Sequence, residues 1–129
     1  MSVLMQEVTL IGSKGTARCR ALFDSGASYS IIRRDIAERL SPLASLPDPE
    51  SWIFETARPG ELIEARYAVG LNFRFDDSQA NFHDEFIVFD ACSEELIIGA
   101  RTLQTCRIVL DFQTDTVIYR KTAERLRVI

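Results

Sequence analysis

Residues 21–28 read Ala-Leu-Phe-Asp-Ser-Gly-Ala-Ser, and their reading decides the fold. Aspartate and serine commonly precede glycine in turns, so Asp24-Ser25-Gly26 by itself predicts a loop. Its flanks predict more. Residues 16–23 alternate, with Ala17, Cys19, Ala21 and Phe23 on one side and Arg18 and Arg20 on the other, which is the period of a half-buried strand. Residues 28–32 (SYSII) resume strand character. A carboxylate set between two apolar strands is costly to desolvate, so Asp24 must find partners or hold a proton.

Outward from this point, residues 3–11 (VLMQEVTLI) are aliphatic and β-branched, and Gly12-Ser13-Lys14-Gly15 is a strong turn signal. The first 23 residues therefore predict a hairpin. Residues 33–40 (RRDIAERL) place Ile36, Ala37 and Leu40 on one helical face, and Pro42, Pro47 and Pro49 end that helix in an irregular connection. A strand starts at Trp52-Ile53-Phe54, Arg58-Pro59-Gly60 is a turn, and residues 61–75 alternate again. The phase slips once between Leu62 and Tyr67, which reads as a bulge. Residues 76–81 form a polar turn, residues 83–90 a strand and residues 96–98 a short buried strand. Residues 99–105 read as one or two helical turns, and residues 107–112 and 116–120 as a second hairpin. The tail, residues 123–129, fits helix or strand equally. The expectation is an all-β fold with one short C-terminal helix and one further helix, in a single domain over residues 1–129.

A second motif lies downstream. Residues 95–103 (ELIIGARTL) run from branched aliphatics through Gly99 into a short helix, followed by the strand Ile108-Val109-Leu110. Together the two motifs resemble the retropepsin (retroviral-type) aspartic protease family, which has a D-T/S-G-A motif and then hydrophobic-hydrophobic-glycine before its last helix. The order of elements agrees as well, over about residues 5–120. The resemblance implies a closed acid-protease β-barrel that works as a homodimer. Two identical loops then meet on a two-fold axis, and their aspartates share one proton and titrate as a pair. One carboxylate activates a water while the other polarises the scissile carbonyl.

Carried over, Asp24 is the catalytic acid/base of each chain, Ser25 links the two loops across the axis, and Gly26 lets the backbone pass close to substrate. Ile97-Ile98-Gly99 packs under the loop. Substrate contacts are expected from Ala27, Ser28, Tyr29 and Ile98, and from a flap over residues 53–66 with Arg58, Pro59 and Gly60 at its tip. The implied partners are a second copy and a peptide or protein substrate, and no metal or cofactor is called for. Terminal strands, residues 3–10 or 126–129, are the expected dimer sheet.

The sequence also departs from the family. Retroviral flaps are glycine-rich, whereas this one holds only Gly60. Retroviral enzymes pair an acid just after D-T/S-G-A with an arginine just after the downstream glycine, and those positions are Ser28 and Ala100 here. Both halves are missing together, which avoids leaving one charge unpaired. Arg101 stands one position late.

Composition narrows the remaining classes. Of 129 residues, 47% are hydrophobic and 26% charged, and the net charge is −4 with no strong basic cluster, so a nucleic-acid partner is not expected. Three cysteines, an odd count without C-x-x-C, argue against a disulfide framework or a zinc site and for small buried hydrophobes in a reducing compartment. No run approaches the ~18 apolar residues of a membrane helix, and the N-terminus lacks the pattern of a signal peptide. The expected place is cytoplasmic, although a domain excised from a larger polypeptide would read the same. His83 is the only histidine and nothing around it marks a catalytic role. Asp76, Asp77, Asp84 and Glu85 lack the alternating spacing of a calcium loop. The competing reading from another class is a retropepsin-fold module with weak turnover that serves dimerisation or peptide binding.

Overall fold

The computed structural model describes residues 3–48, 50, 52–56 and 58–123. Strands β1 (Val3–Ile11) and β2 (Thr16–Asp24) form the expected hairpin, in register from Ile11 opposite Thr16 to Val3 opposite Asp24. Alternation places Leu4, Val8 and Leu10 with Cys19, Ala21 and Phe23 in the core. The turn itself is packed against the end of helix α1 (Arg34–Leu40). A Cβ on Gly12 would lie 2.1 Å from the Leu40 carbonyl oxygen, so only glycine fits there. The Lys14 amide donates to the same oxygen at 2.8 Å. α1 buries Ile36, Ala37 and Leu40, as its periodicity predicts.

The third strand, β3 (Ile31–Arg33), is shorter than its sequence implies. Residue 28 stays out of the ladder because its carbonyl accepts from the Arg101 amide at 3.3 Å, whereas the Ser30 carbonyl, accepting from the Ile87 amide at 3.0 Å, makes the bond that leads into the strand. A short strand β4 (Ala44–Ser45), not foreseen, follows α1. The next hairpin is β5 (Ile53–Glu55) with β6 (Leu62–Glu64), and it stands apart from the main sheet as its own two-stranded sheet.

The phase slip after Leu62 is not a bulge. It is the place where the chain leaves that hairpin and enters β7 (Tyr67–Arg74). At the crossing the Ala65 amide bonds the Trp52 carbonyl and the Arg66 carbonyl accepts from Leu46, so each residue serves a different layer. β8 (Phe82–Phe89), β9 (Leu96–Ile98), α2 (Ala100–Cys106), β10 (Val109–Asp111) and β11 (Thr116–Ile118) complete the chain close to their expected places. Residues 124–129 of the ambiguous tail lie outside the described residues.

The main sheet runs β1-β2-β9-β3-β8-β7, and β7 pairs back onto β1 through Leu10 opposite Phe73, which closes a six-stranded barrel. β9 is wedged between β2 (parallel) and β3 (antiparallel), although it comes much later in sequence. That wedge places the two sequence motifs side by side. Inside, Phe73 stacks on Phe82 and meets Phe75 and Phe86 edge-on, and it has no exposed surface. A second, smaller core (Ile31, Leu46, Ala65, Ala68, Ile87, Phe89) lies between the barrel and the β5–β6 hairpin.

Phe73→Ala would leave a void among three rings at the closure of the barrel. It is expected to cost about 3–5 kcal/mol, read as a lower urea midpoint with an unchanged slope.

Candidate active site

Asp24 is the last residue of β2, where the strand ends and the loop begins. Its Oδ1 accepts the Gly26 amide at 2.9 Å, and its carbonyl accepts the Ala27 amide at 3.2 Å. The loop therefore curls around its own carboxylate, which fixes the carboxylate's orientation. Among the described residues Oδ2 takes no hydrogen bond, and neither does the exposed Ser25 hydroxyl. Gly26 is exposed beside them.

The loop rests on the second motif. β9 pairs with β2 through Ala21 opposite Leu96, Leu22 opposite Ile97 and Phe23 opposite Ile98. Directly after β9, Gly99 passes so close that a Cβ would lie 2.4 Å from the Tyr29 carbonyl oxygen and 2.8 Å from that of Ala27. The opening turn of α2 then donates into the loop, from the Ala100 amide to the Ala27 carbonyl at 2.7 Å and from the Arg101 amide to the Ser28 carbonyl at 3.3 Å. A buried side-chain relay supports the same junction. Ser30 Oγ accepts the Gly99 amide at 2.9 Å and shares a 2.5 Å hydrogen bond with Thr102 Oγ1. Both hydroxyls are buried and satisfied, as burial of a polar group requires.

Tyr29 links this platform to the β5–β6 hairpin. Its half-buried ring meets Trp52 and Phe54 edge-on at 5.8 and 5.6 Å between centroids, and Phe54 in turn packs on Phe89. On another side the Arg101 guanidinium carbon lies 4.9 Å from the centre of the Tyr29 ring, and its Nη1 is 3.4 Å from the phenol oxygen. The base of the hairpin is thus held against the loop, whereas Arg58, Pro59 and Gly60 are exposed at its tip. Gly60 has φ +78°, among the described residues of the tip the one conformation that demands glycine. The Thr56 amide donates to the Glu61 carbonyl and the Glu61 amide to the Arg58 carbonyl, both at 3.1 Å. The Arg58–Glu61 pair at 3.7 Å is too exposed to add much.

The predicted residues Asp24, Ser25, Gly26, Ala27, Ser28 and Tyr29 are contiguous in one loop by construction, and the structure seats that loop on Gly99. Ile98 is placed elsewhere than expected. It is fully buried in the main core opposite Phe23, so it supports the loop and cannot touch a substrate. Ile97, its neighbour, turns the other way and joins the cluster around Tyr29 and Phe54. Alternation along residues 96–98 sets the two isoleucines on opposite faces, and the register with Phe23 decides which of them is buried. Ser30 and Thr102 had no such signal, because their pairing spans 72 positions of sequence. Arg101, one position late in the motif, finds Tyr29 instead of a carboxylate. His83 binds Asn72 Oδ1 across the exposed side of β7 and β8. Burial pushes the Cys19 thiol up to about 12 and the Cys106 thiol to about 11, so both act as core hydrophobes. Among the described residues no group of three or more His, Cys, Asp or Glu could hold a metal ion, and no helix is long and apolar enough to cross a membrane.

No family model matches the chain, and no curated protein matches it in sequence. Solved structures do resemble it. A retroviral protease-like domain of Ddi1 from Leishmania major superposes with a TM-score of 0.60 at 19% identity, over 92% of this chain and 90% of that one. The protease of EIAV, solved with the inhibitor HBY-793, gives a TM-score of 0.56 at 16% identity, over 81% of this chain and 88% of that one. The fold is retropepsin-like.

If the close approach at Gly99 holds the loop, Gly99→Ala must push two backbones apart. It is expected to cost about 1–3 kcal/mol in urea denaturation. Amide exchange at Ala100 should accelerate in the same variant, and unchanged protection there would show that the contact constrains nothing.

Proposed function

We propose that the chain is an aspartic endopeptidase whose active site is completed by a second copy of itself, with one Asp24 from each. The observation that carries this reading is the Asp24 loop. Its carboxylate is oriented through Oδ1 by the Gly26 amide, its Oδ2 is unpartnered among the described residues, and the loop is clamped to Gly99 inside a retropepsin-like barrel. Such an arrangement supplies half of an acid/base pair and leaves the other half to come from outside the protomer. The resemblance of the fold to a protease solved with an inhibitor gives further support.

In this reading two Asp24 carboxyls face each other closely enough to hold one proton between them. The ionised one takes a proton from a bound water, whose oxygen attacks the carbonyl carbon of the peptide. The protonated one donates to the carbonyl oxygen, giving a tetrahedral diol. Transfer of a proton to the amide nitrogen then lets the C–N bond break, and the pair returns to its starting state. The β5–β6 hairpin, whose base is already packed on Tyr29, closes over the peptide and displaces water. Ile97, Tyr29 and the hairpin supply an apolar wall, which fits hydrophobic side chains flanking the scissile bond.

The test is cleavage of a degenerate peptide mixture at several pH values and protein concentrations. Asp24→Asn should lower the rate by about 10²–10⁴-fold while leaving the fold intact by circular dichroism. Activity should rise faster than linearly with protein concentration below the dimer dissociation constant. Turnover that survives Asp24→Asn would sink the mechanism, and a folded dimer that binds but never cleaves peptides would make the chain a binding module.

A further inference from the structure

Arg101 is the one basic residue in the platform that carries Asp24. Residues 24–29 and 96–106 hold no other arginine, lysine or histidine. Its backbone is fixed, because its amide donates to the Ser28 carbonyl at 3.3 Å. Its exposed guanidinium lies over the Tyr29 ring, 4.9 Å from the ring centre, and Nη1 donates to the phenol oxygen at 3.4 Å. Among the described residues no carboxylate pairs with it, and its other N–H groups have no acceptor. Other surface arginines are spent on acids of this chain: Arg18 on Glu7 and Asp76, Arg33 on Asp35, and Arg34 on Glu38 and Asp90. A guanidinium presents its donors as a rigid fork that matches a carboxylate, and stacking on a ring holds that fork in place. The Tyr29 phenol accepts from Nη1 and keeps its own hydrogen to donate.

We infer that Arg101 and Tyr29 form a subsite for a carboxylate side chain, so that the chain selects peptides with an acidic residue about two to four residues from the scissile bond. This rests on the reading of Asp24 as half of a peptidase site. Position selects the ligand. Tyr29 stands where the Asp24 loop meets the β5–β6 hairpin, with Trp52 and Phe54 on one side of its ring and Arg101 on another. A peptide held between loop and hairpin runs along that seam, its scissile bond at Asp24 and its more distant residues at Tyr29. A carboxylate beside the scissile bond would face the aspartates, whereas one farther along meets the guanidinium first. Charge selects the ligand as well. One guanidinium with one phenol suits a singly charged carboxylate, while phosphate recognition draws on a cluster of arginines. The two-fold arrangement of the proposed site supplies one such subsite on each side of the scissile bond.

Matched peptides test this, each with a central hydrophobic pair and Glu, Gln or Lys at the outer positions. For the wild-type chain, kcat/KM should be about tenfold or more higher with Glu than with Gln. Added salt should shrink that ratio. In Arg101→Gln the ratio should fall to about one, in Arg101→Lys it should fall partway because the charge remains without the fork, and Arg101→Glu should favour Lys. Tyr29→Phe should lower the ratio less than Arg101→Gln does. Every variant at position 101 keeps the amide that holds Ser28, and circular dichroism with urea unfolding checks that the fold survives. Equal cleavage of Glu and Gln peptides by the wild-type chain would overturn the subsite and leave the peptidase standing. A preference that persists in Arg101→Gln would also overturn it. If the wild-type chain cleaves none of the peptides, the peptidase reading falls, and their binding, read by fluorescence anisotropy, decides the subsite. Tighter binding of the Glu peptide that is lost in Arg101→Gln would uphold it, and equal or absent binding would remove it too.

Discussion

The approach of Gly99 to the backbone of residues 27–29 is the constraint on which the candidate site depends. There is no room at that point for even a methyl group, with the Tyr29 oxygen 2.4 Å from where a Cβ would stand. The contact exists because β9 is inserted between β2 and β3, so the chain emerging from β9 must start α2 immediately beneath the Asp24 loop. Once there, the amides of Ala100 and Arg101 are free to donate, because the first turn of a helix has no internal acceptors for them. They satisfy the carbonyls of Ala27 and Ser28, which therefore do not extend the strand. The same junction thus shortens β3, starts α2 and fixes the loop that carries the carboxylate.

The sequence reveals these pieces unevenly, for physical reasons. Alternation along residues 16–23 and the helical face of Ile36, Ala37 and Leu40 are local patterns that repeat over several residues, and the structure follows both. The two motifs around Asp24 and Gly99 were readable because glycine and aspartate carry strong backbone preferences. The junction between them was not, since Ser30 and Thr102 meet only after the barrel has closed. The break at Ala65 and Arg66 was visible as a loss of phase, but periodicity cannot separate a bulge from a change of sheet. Ile98 was misplaced because two adjacent isoleucines look alike until the register with Phe23 is known.

The hairpin over residues 53–64 is held more firmly at its base than at its tip. Its base is held by Trp52 and Phe54 on Tyr29, with Phe89 behind, so motion at the base must break aromatic contacts. Its tip is exposed and closed by a few backbone hydrogen bonds, which leaves it the weakest part of the element. Among the described residues of the hairpin only Gly60 stands at positive φ.

The loop is tied without an acid–arginine pair. An ion pair between positions 28 and 100 would sit at an exposed and a half-buried residue, where such a tie adds little. Here Ser28 contributes its carbonyl to the Arg101 amide, and the Arg101 side chain lies over Tyr29 while its head stays in water. The charge stays solvated, and the orientation of the loop comes from backbone hydrogen bonds and ring packing. The geometry of the platform beneath Asp24 therefore does not depend on an ion pair.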